Sequence, residues 1–181
     1  MIISQDWLFV STMKCATNTM YEALPGQRKG KGVHPRPKGR LRPVHFTVCR
    51  NPYDRAVSIW ASTCLREKDR YNAIKRIQSQ GGDYTNFDDF CRYCLTSYHW
   101  TWNQWLFRNQ TDWHPVIDRF VHIENLKEET EAIVGEIPKL PTINKSDHEH
   151  WRHYMSDTAV EIINEWAGRD FELGYLHLRV S

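Results

Sequence analysis

LFVSTMKCATNTMYEAL, residues 8–24 of the 181-residue chain, joins a short apolar run to a helix-like run through a loop of small polar residues. Leu8, Phe9 and Val10 are too few for a buried helix and suit a buried strand, whereas Met20, Ala23 and Leu24 recur at helical spacing after Thr17. Between them lie Ser11, Thr12, Lys14, Cys15, Ala16, Thr17, Asn18 and Thr19. A loop feeding a helix N-terminus turns several backbone N–H groups outward, and the helix dipole adds positive potential at the same spot. Lys14 adds a full charge, and the hydroxyls of Thr17 and Thr19 add neutral donors. The stretch reads equally well as a cradle for a phosphate or sulfate group and as an ordinary strand-to-helix turn with an N-cap threonine.

Outward from that stretch, the first helix is expected to end near Pro25 and Gly26. The following QRKGKGVHPRPKGRLRP carries Gly30, Gly32, Gly39, Pro35, Pro37 and Pro43, too many breakers for a regular element. Long loops of this kind inside compact domains are commonly functional or disordered. No acidic residue occurs between Glu22 and Asp54, while Arg28, Lys29, Lys31, Arg36, Lys38, Arg40, Arg42 and Arg50 do; such a segment faces an anion or is a solvated, mobile face, and its place between two candidate anion-binding elements favours the first. His34 is the loop's only side chain with a pKa near neutrality, set among cations that favour its neutral ring.

Val44 to Cys49 reads as a second buried strand, with Phe46 and Val48 on one face. Directly after it stands RNPYDRAVSIW, residues 50–60, in which Asn51-Pro52 breaks the strand and Pro52 with Asp54 turns the chain into a helix. Arg50 therefore falls at the carboxyl end of a buried strand, the edge where open α/β sheets bind ligands. Ser58 follows one turn into the helix. A partnership between Arg50 and Asp54, with Ser58 a surface hydroxyl, is the purely structural alternative.

Farther along, Arg66 to Gln80 reads as a charged helix, and Asn86 opens a run with Phe87, Phe90, Cys91, Cys94 and Leu95 on one face. Trp100 and Trp102 alternate instead of following the helical period, so at least one is expected to face outward and stack on a sugar or an adenine. Phe120 to Ile123 reads as a third strand, followed by helices over Leu126 to Val134 and Ser156 to Trp166. With 40% hydrophobic and 25% charged residues, the chain is expected to form one domain over residues 1–181. It has no membrane-spanning run and no basic leader before the apolar N-terminus. Five cysteines, an odd and scattered set, fit free thiols in a reducing, cytoplasmic compartment. The Cys91 and Cys94 pair reads as buried helix thiols and not as half a metal site, and nothing completes a site around His148, His150 and His153, so no metal is expected.

Taken together, KCATNT (residues 14–19) after one strand and RNPYDRAVS (residues 50–58) after another resemble the sulfotransferases that use 3′-phosphoadenosine 5′-phosphosulfate (PAPS), especially their carbohydrate branch. The corresponding family patterns are P-K-x-G-G-T-S and R-N-P-x-D-R-x-x-S. Here Met13 replaces the usual proline, and Ala16-Thr17 replaces the glycines. FVHIENLKEET resembles a strand-turn-helix of the family in which Glu124 and Asn125 tie down the turn. LPTINKSDHEHWRHY resembles its late loop, and DFELGYL its ending; Gln104 lies where the family carries a glutamine in an aromatic stretch.

The resemblance implies an α/β, three-layer, P-loop-like fold with a mainly parallel central sheet flanked by helices. It implies that Lys14, Cys15, Ala16, Thr17, Asn18 and Thr19 wrap the 5′-phosphosulfate, that Arg50 and Ser58 bind the 3′-phosphate, and that Lys145 reaches a phosphate from the late loop. PAPS is then the donor, PAP (3′,5′-adenosine bisphosphate) the product, and the partner an acceptor hydroxyl, expected on a carbohydrate, with neither nucleic acid nor membrane involved. Lys14 would neutralise charge on the bridging oxygen, and His34 would take the acceptor's proton, ahead of His45 and Glu22. Two readings compete. A P-loop nucleotide kinase shares the strand-loop-helix logic but lacks G-x-x-x-x-G-K-[ST] and an aspartate for magnesium. A non-catalytic module binding anionic glycans or nucleic acid leaves RNPYDRAVS without a purpose.

Overall fold

A computed structural model of the chain describes residues 1–28, 44–66, 72–96, 104–112, 117–141 and 148–180. In chain order its strands are β1 (Ile2–Ile3), β2 (Trp7–Phe9), β3 (Gln27–Arg28), β4 (Val44–Cys49) and β5 (Arg119–His122). The α-helices are α1 (Thr17–Ala23), α2 (Pro52–Trp60), α3 (Ala73–Ser79), α4 (Phe87–Phe90), α5 (Gln104–Phe107), α6 (Leu126–Val134) and α7 (Asp157–Trp166). π-helical turns over Ala61–Arg66 and Cys91–Leu95 continue α2 and α4. The chain groups into two compact units, Met1–Arg50 with Gln110–Lys145 and Asn51–Asn109 with Ser146–Ser181, neither of them a continuous stretch.

The first unit is an α/β layer with strand order β3-β1-β2-β4-β5. The central pairs are parallel: Phe9 lies beside Phe46, and Cys49 beside His122. β1 runs antiparallel to both β2 and β3. The expected strand over Val44 to Cys49 forms with those bounds, and side chains alternate across it as the two-residue period requires. Trp7, Phe9, Phe46, Val48 and Val121 pack with Met20 and Leu24 and against Leu126, Ile133 and Val134, so the helices α1 and α6 cover one face. Leu8, Val10 and Ile117 make a smaller cluster on the other. The stretch expected to hold no regular element does begin with one. β3 forms because Gly26, at φ 133°, turns the chain back where any Cβ would sit 2.8 Å from the Ile3 carbonyl oxygen.

The second unit is helical. Asn51 caps α2 by accepting from Tyr53 N at 3.0 Å, with Pro52 in the first turn where its missing N–H costs nothing. Asn86 caps α4 through the N–H groups of Asp88 and Asp89, and Ser156 caps α7 through Ala159 N at 3.0 Å. Its centre is a buried ion pair: Arg55 Nη1 lies 3.6 Å from Asp170 Oδ2, with side chains 2% and 0% exposed. Arg55 Nη2 donates to the carbonyls of Leu106 and Arg108 at 3.1 and 2.6 Å, and the guanidinium lies 5.3 Å from the Trp166 ring centroid. Tyr53 stacks on Trp151, donates to Asn164 Oδ1 at 2.5 Å and accepts from Leu178 N at 2.7 Å. Thus Tyr53 and Arg55, inside RNPYDRAVS, and Asp170, inside DFELGYL, hold this unit together. Of the charged helix expected over Arg66 to Gln80, the described residues hold α3, which starts after Asn72 at φ 55°, while Arg66 closes a π turn that prolongs α2 and in which Ser62 and Thr63 donate to the Ile59 carbonyl.

Candidate functional site

The carboxyl ends of β2 and β4 are neighbours, and the two stretches singled out in the sequence begin there. Beyond Phe9, Val10 N still pairs with the Phe46 carbonyl at 2.9 Å, after which the chain leaves the sheet as a loop. Thr12, 2% exposed, fastens that loop to β4 by donating to the Val48 carbonyl at 2.6 Å, and Thr47 Oγ1 approaches its hydroxyl at 3.4 Å. Thr17 Oγ1 donates to the Thr12 carbonyl at 2.7 Å and closes the loop on itself. Its hydroxyl proton, expected to point at an anion, is spent inside the loop, and Thr19 is buried at 8% exposure.

Lys14 and Ala16 have φ values of 65° and 51°, a left-handed backbone that non-glycine residues seldom adopt. Ala16 is the N-cap of α1 and supplies no side-chain bond to it; Met20 N reaches its carbonyl at 3.0 Å. The backbone here follows a path natural for glycine with alanine in its place. Cys15 is fully buried with its thiol donating to Gln110 Oε1 at 3.1 Å, so what it offers outward is its peptide group. Asn18 is exposed on the first turn of α1.

Arg50 is the residue after β4, half-buried. Its Nη1 donates to the Lys14 carbonyl at 3.3 Å, so the guanidinium rests on the loop of the first stretch. Its backbone is held by Gln110, whose Oε1 accepts from Arg50 N at 2.7 Å and whose Nε2 donates to Arg50 O at 2.9 Å. The structure thus brings Lys14, Cys15 and Arg50 to one edge of the sheet, with two cationic side chains rooted there. Ser58 lies in the second unit, on α2, 2% exposed. His34, Lys145, Trp100 and Trp102 lie outside the described residues.

Two residues of this edge were passed over in the sequence. Gln110 stands 60 positions from Arg50 and 95 from Cys15, and no local pattern marks it. His122 ends β5 beside Cys49, a placement signalled by the same strand-end argument that picked out Arg50. Its Nδ1 lies 3.2 Å from both Glu129 oxygens, and its N–H donates to Glu129 Oε2 at 2.8 Å. Burial alone would raise the Glu129 carboxyl, but the backbone N–H of His122, the Asn125 amide and the His122 imidazole outweigh it and hold the pKa below the usual carboxylate range.

The other base candidates lie elsewhere. His45 is fully buried in the first half of β4, its backbone exchanging bonds with Asp118 at 2.8 and 2.7 Å, and five residues of strand set it about 16 Å from Arg50. Glu22 is exposed on the last turn of α1. All five cysteines are buried thiols outside any disulfide. Burial lifts Cys91 well above its ordinary value and Cys94 to about 12, leaving both as inert thiols. Among the described residues no three histidine, cysteine or acidic side chains are grouped to hold a metal, and no helix is long and apolar enough to cross a membrane.

No curated protein and no solved structure matches the chain. The model of a family described as "Sulfotransferase family" matches residues 36–133, more than half of the chain. The match starts after the loop of Lys14 and spans Arg50 to Ser58 and the turn at Glu124 and Asn125. The parallel strands that end in RNPYDRAVS and in HIENL both fall within the matched residues. The chain belongs to the sulfotransferase family and, with it, to the transferases.

Proposed function

We propose that the protein is a single-domain sulfotransferase that moves a sulfuryl group from PAPS to an acceptor hydroxyl on a carbohydrate. The fold reading that goes with it is the three-layer, P-loop-like one. The observation that supports it best is the Arg50 guanidinium 3.3 Å from the Lys14 carbonyl, because two stretches far apart in sequence meet at one ligand-binding sheet edge. Lys14, with the peptide groups of Cys15, Ala16, Thr17, Asn18 and Thr19, takes the 5′-phosphosulfate. Arg50, with Ser58, takes the 3′-phosphate, and Lys145 adds a further phosphate contact.

In the reaction the acceptor oxygen forms a bond to sulfur as the bond from sulfur to the 5′-phosphate oxygen breaks. His34 receives the acceptor's proton, and Lys14 offsets the charge that develops on the departing oxygen of PAP. Holding both ends of the donor makes the displacement effectively intramolecular. The scheme uses no metal.

Calorimetry with PAP in the absence of magnesium tests the donor. Binding that weakens at least tenfold in Arg50→Ala supports the reading, and no binding by the unsubstituted protein removes it. Turnover of labelled PAPS over a panel of sugars, with His34→Asn beside His122→Asn, tests the base. Loss of turnover in the His122 variant with full turnover in the His34 variant would reassign the proton to the histidine that Glu129 holds.

A further inference from the structure

We propose that Gln110 is a positioning residue: it sets Arg50 for the donor's 3′-phosphate and couples that arginine to the loop of Lys14. The inference rests on the PAPS reading above and goes beyond it, since neither family pattern includes this glutamine. The argument begins with the end of β4. The ladder to β5 closes at Cys49 and His122, and the ladder to β2 at Phe46 and Phe9, so the peptide groups of Arg50 lie past both. One primary amide takes them: Oε1 accepts from Arg50 N at 2.7 Å and Nε2 donates to Arg50 O at 2.9 Å. An amide carries a donor and an acceptor in one plane, so it reproduces the two-way exchange of a paired strand residue and fixes the backbone from which the arginine side chain projects.

The same Oε1 accepts from Cys15 Sγ at 3.1 Å, and the Arg50 guanidinium returns to the carbonyl of Lys14, the residue next to Cys15. The bonds form a closed circuit through Lys14, Cys15, Gln110 and Arg50. Gln110 is 1% exposed and its bond to Cys15 is buried, where an unmade one is costly. Glutamate at this place would set an oxygen against the Arg50 carbonyl, and methionine would keep the length while losing every polar contact.

Calorimetry of Gln110→Met and Gln110→Glu with PAP and with AMP, which lacks the 3′-phosphate, tests this, with and without Arg50→Ala and alongside thermal melts. The expected result is a loss of about tenfold for PAP with AMP changed less than about twofold, and no further PAP loss when Gln110→Met is added to Arg50→Ala. The glutamate variant, which keeps an acceptor for Cys15 and for Arg50 N, serves if the methionine variant fails to fold, and is expected to show the same selectivity. Equal weakening of both nucleotides, full additivity with Arg50→Ala, or unchanged PAP affinity would overturn the inference while leaving the donor reading intact. Failure of the unsubstituted protein to bind PAP would overturn both.

Discussion

Removing Asp170 should cost the protein more stability than any single surface change, and the magnitude follows from the geometry around Arg55. At 3.6 Å, and with an effective dielectric of about 20, the pair attracts by about 4–5 kcal/mol. Asp170→Ala forfeits that attraction while the guanidinium stays at 1% exposure, beside the Leu106 and Arg108 carbonyls and the face of Trp166. Deleting one partner of such a buried pair costs about 3–5 kcal/mol, because the surviving charge has no water to return to. For a chain of this length that corresponds to a fall in Tm of about 6–20 °C. Urea and thermal melts followed by near-ultraviolet circular dichroism would measure it. Arg55→Met combined with Asp170→Leu removes both charges and should recover at least half of the loss, less than all of it because the Leu106 and Arg108 carbonyls lose their donor. A single variant within about 1 kcal/mol of the unsubstituted protein, or a double variant no better than the single, would refute this account of the core.

Further outcomes follow from the same contacts. Cys94, with its thiol raised to about 12, should react with a thiol reagent at pH 8 at least roughly a thousandfold more slowly in the folded protein than in denaturant; labelling within seconds in the native state would contradict the burial argument. The Glu129 carboxyl is lowered in the folded state, so its stabilising effect is complete above the ordinary carboxylate pKa of about 4.3 and is lost as pH falls through the lowered folded value. The stability difference between the protein and Glu129→Gln should therefore close as pH falls through that range, and a gap that persists at the acid end would count against the His122 and Asn125 contacts. Ala16→Gly should leave stability unchanged or raise it by up to about 1 kcal/mol, since φ is 51° there, whereas Ala159→Gly inside α7 should cost about 1 kcal/mol; equal losses at the two positions would argue against the left-handed turn.

Much of the architecture could be read along the chain because its causes are contiguous. Val44 to Cys49 alternates on a two-residue period and is closed by Asn51-Pro52, and α6 begins and ends where its pattern does. Asn86 and Ser156 stand where caps belong, since a cap needs only a side-chain oxygen two or three residues before the N–H it serves. At the start of the charged run, Arg66 belongs to the preceding helix, because hydroxyls at 62 and 63 bonding back to Ile59 accompany its extension as a π turn, a competition that helical periodicity does not register. β1 and β3 are two residues each, too short to carry a period, and exist only through their pairing with each other and with β2.

At the site the same boundary holds. Lys14 and Arg50 were legible because each follows an apolar strand, and a strand end followed by a loop or a helix start is a local signal with a known use. That the Arg50 guanidinium would settle on the Lys14 carbonyl and that Gln110 would join loop to strand depend on which strands lie side by side. Short-range chemistry writes itself into neighbouring residues, so strands, caps and anion-seeking loops announce themselves in order. Hydrogen bonds between groups 36 to 95 positions apart come into being only when parallel pairing sets β2 beside β4, and no window of sequence contains them.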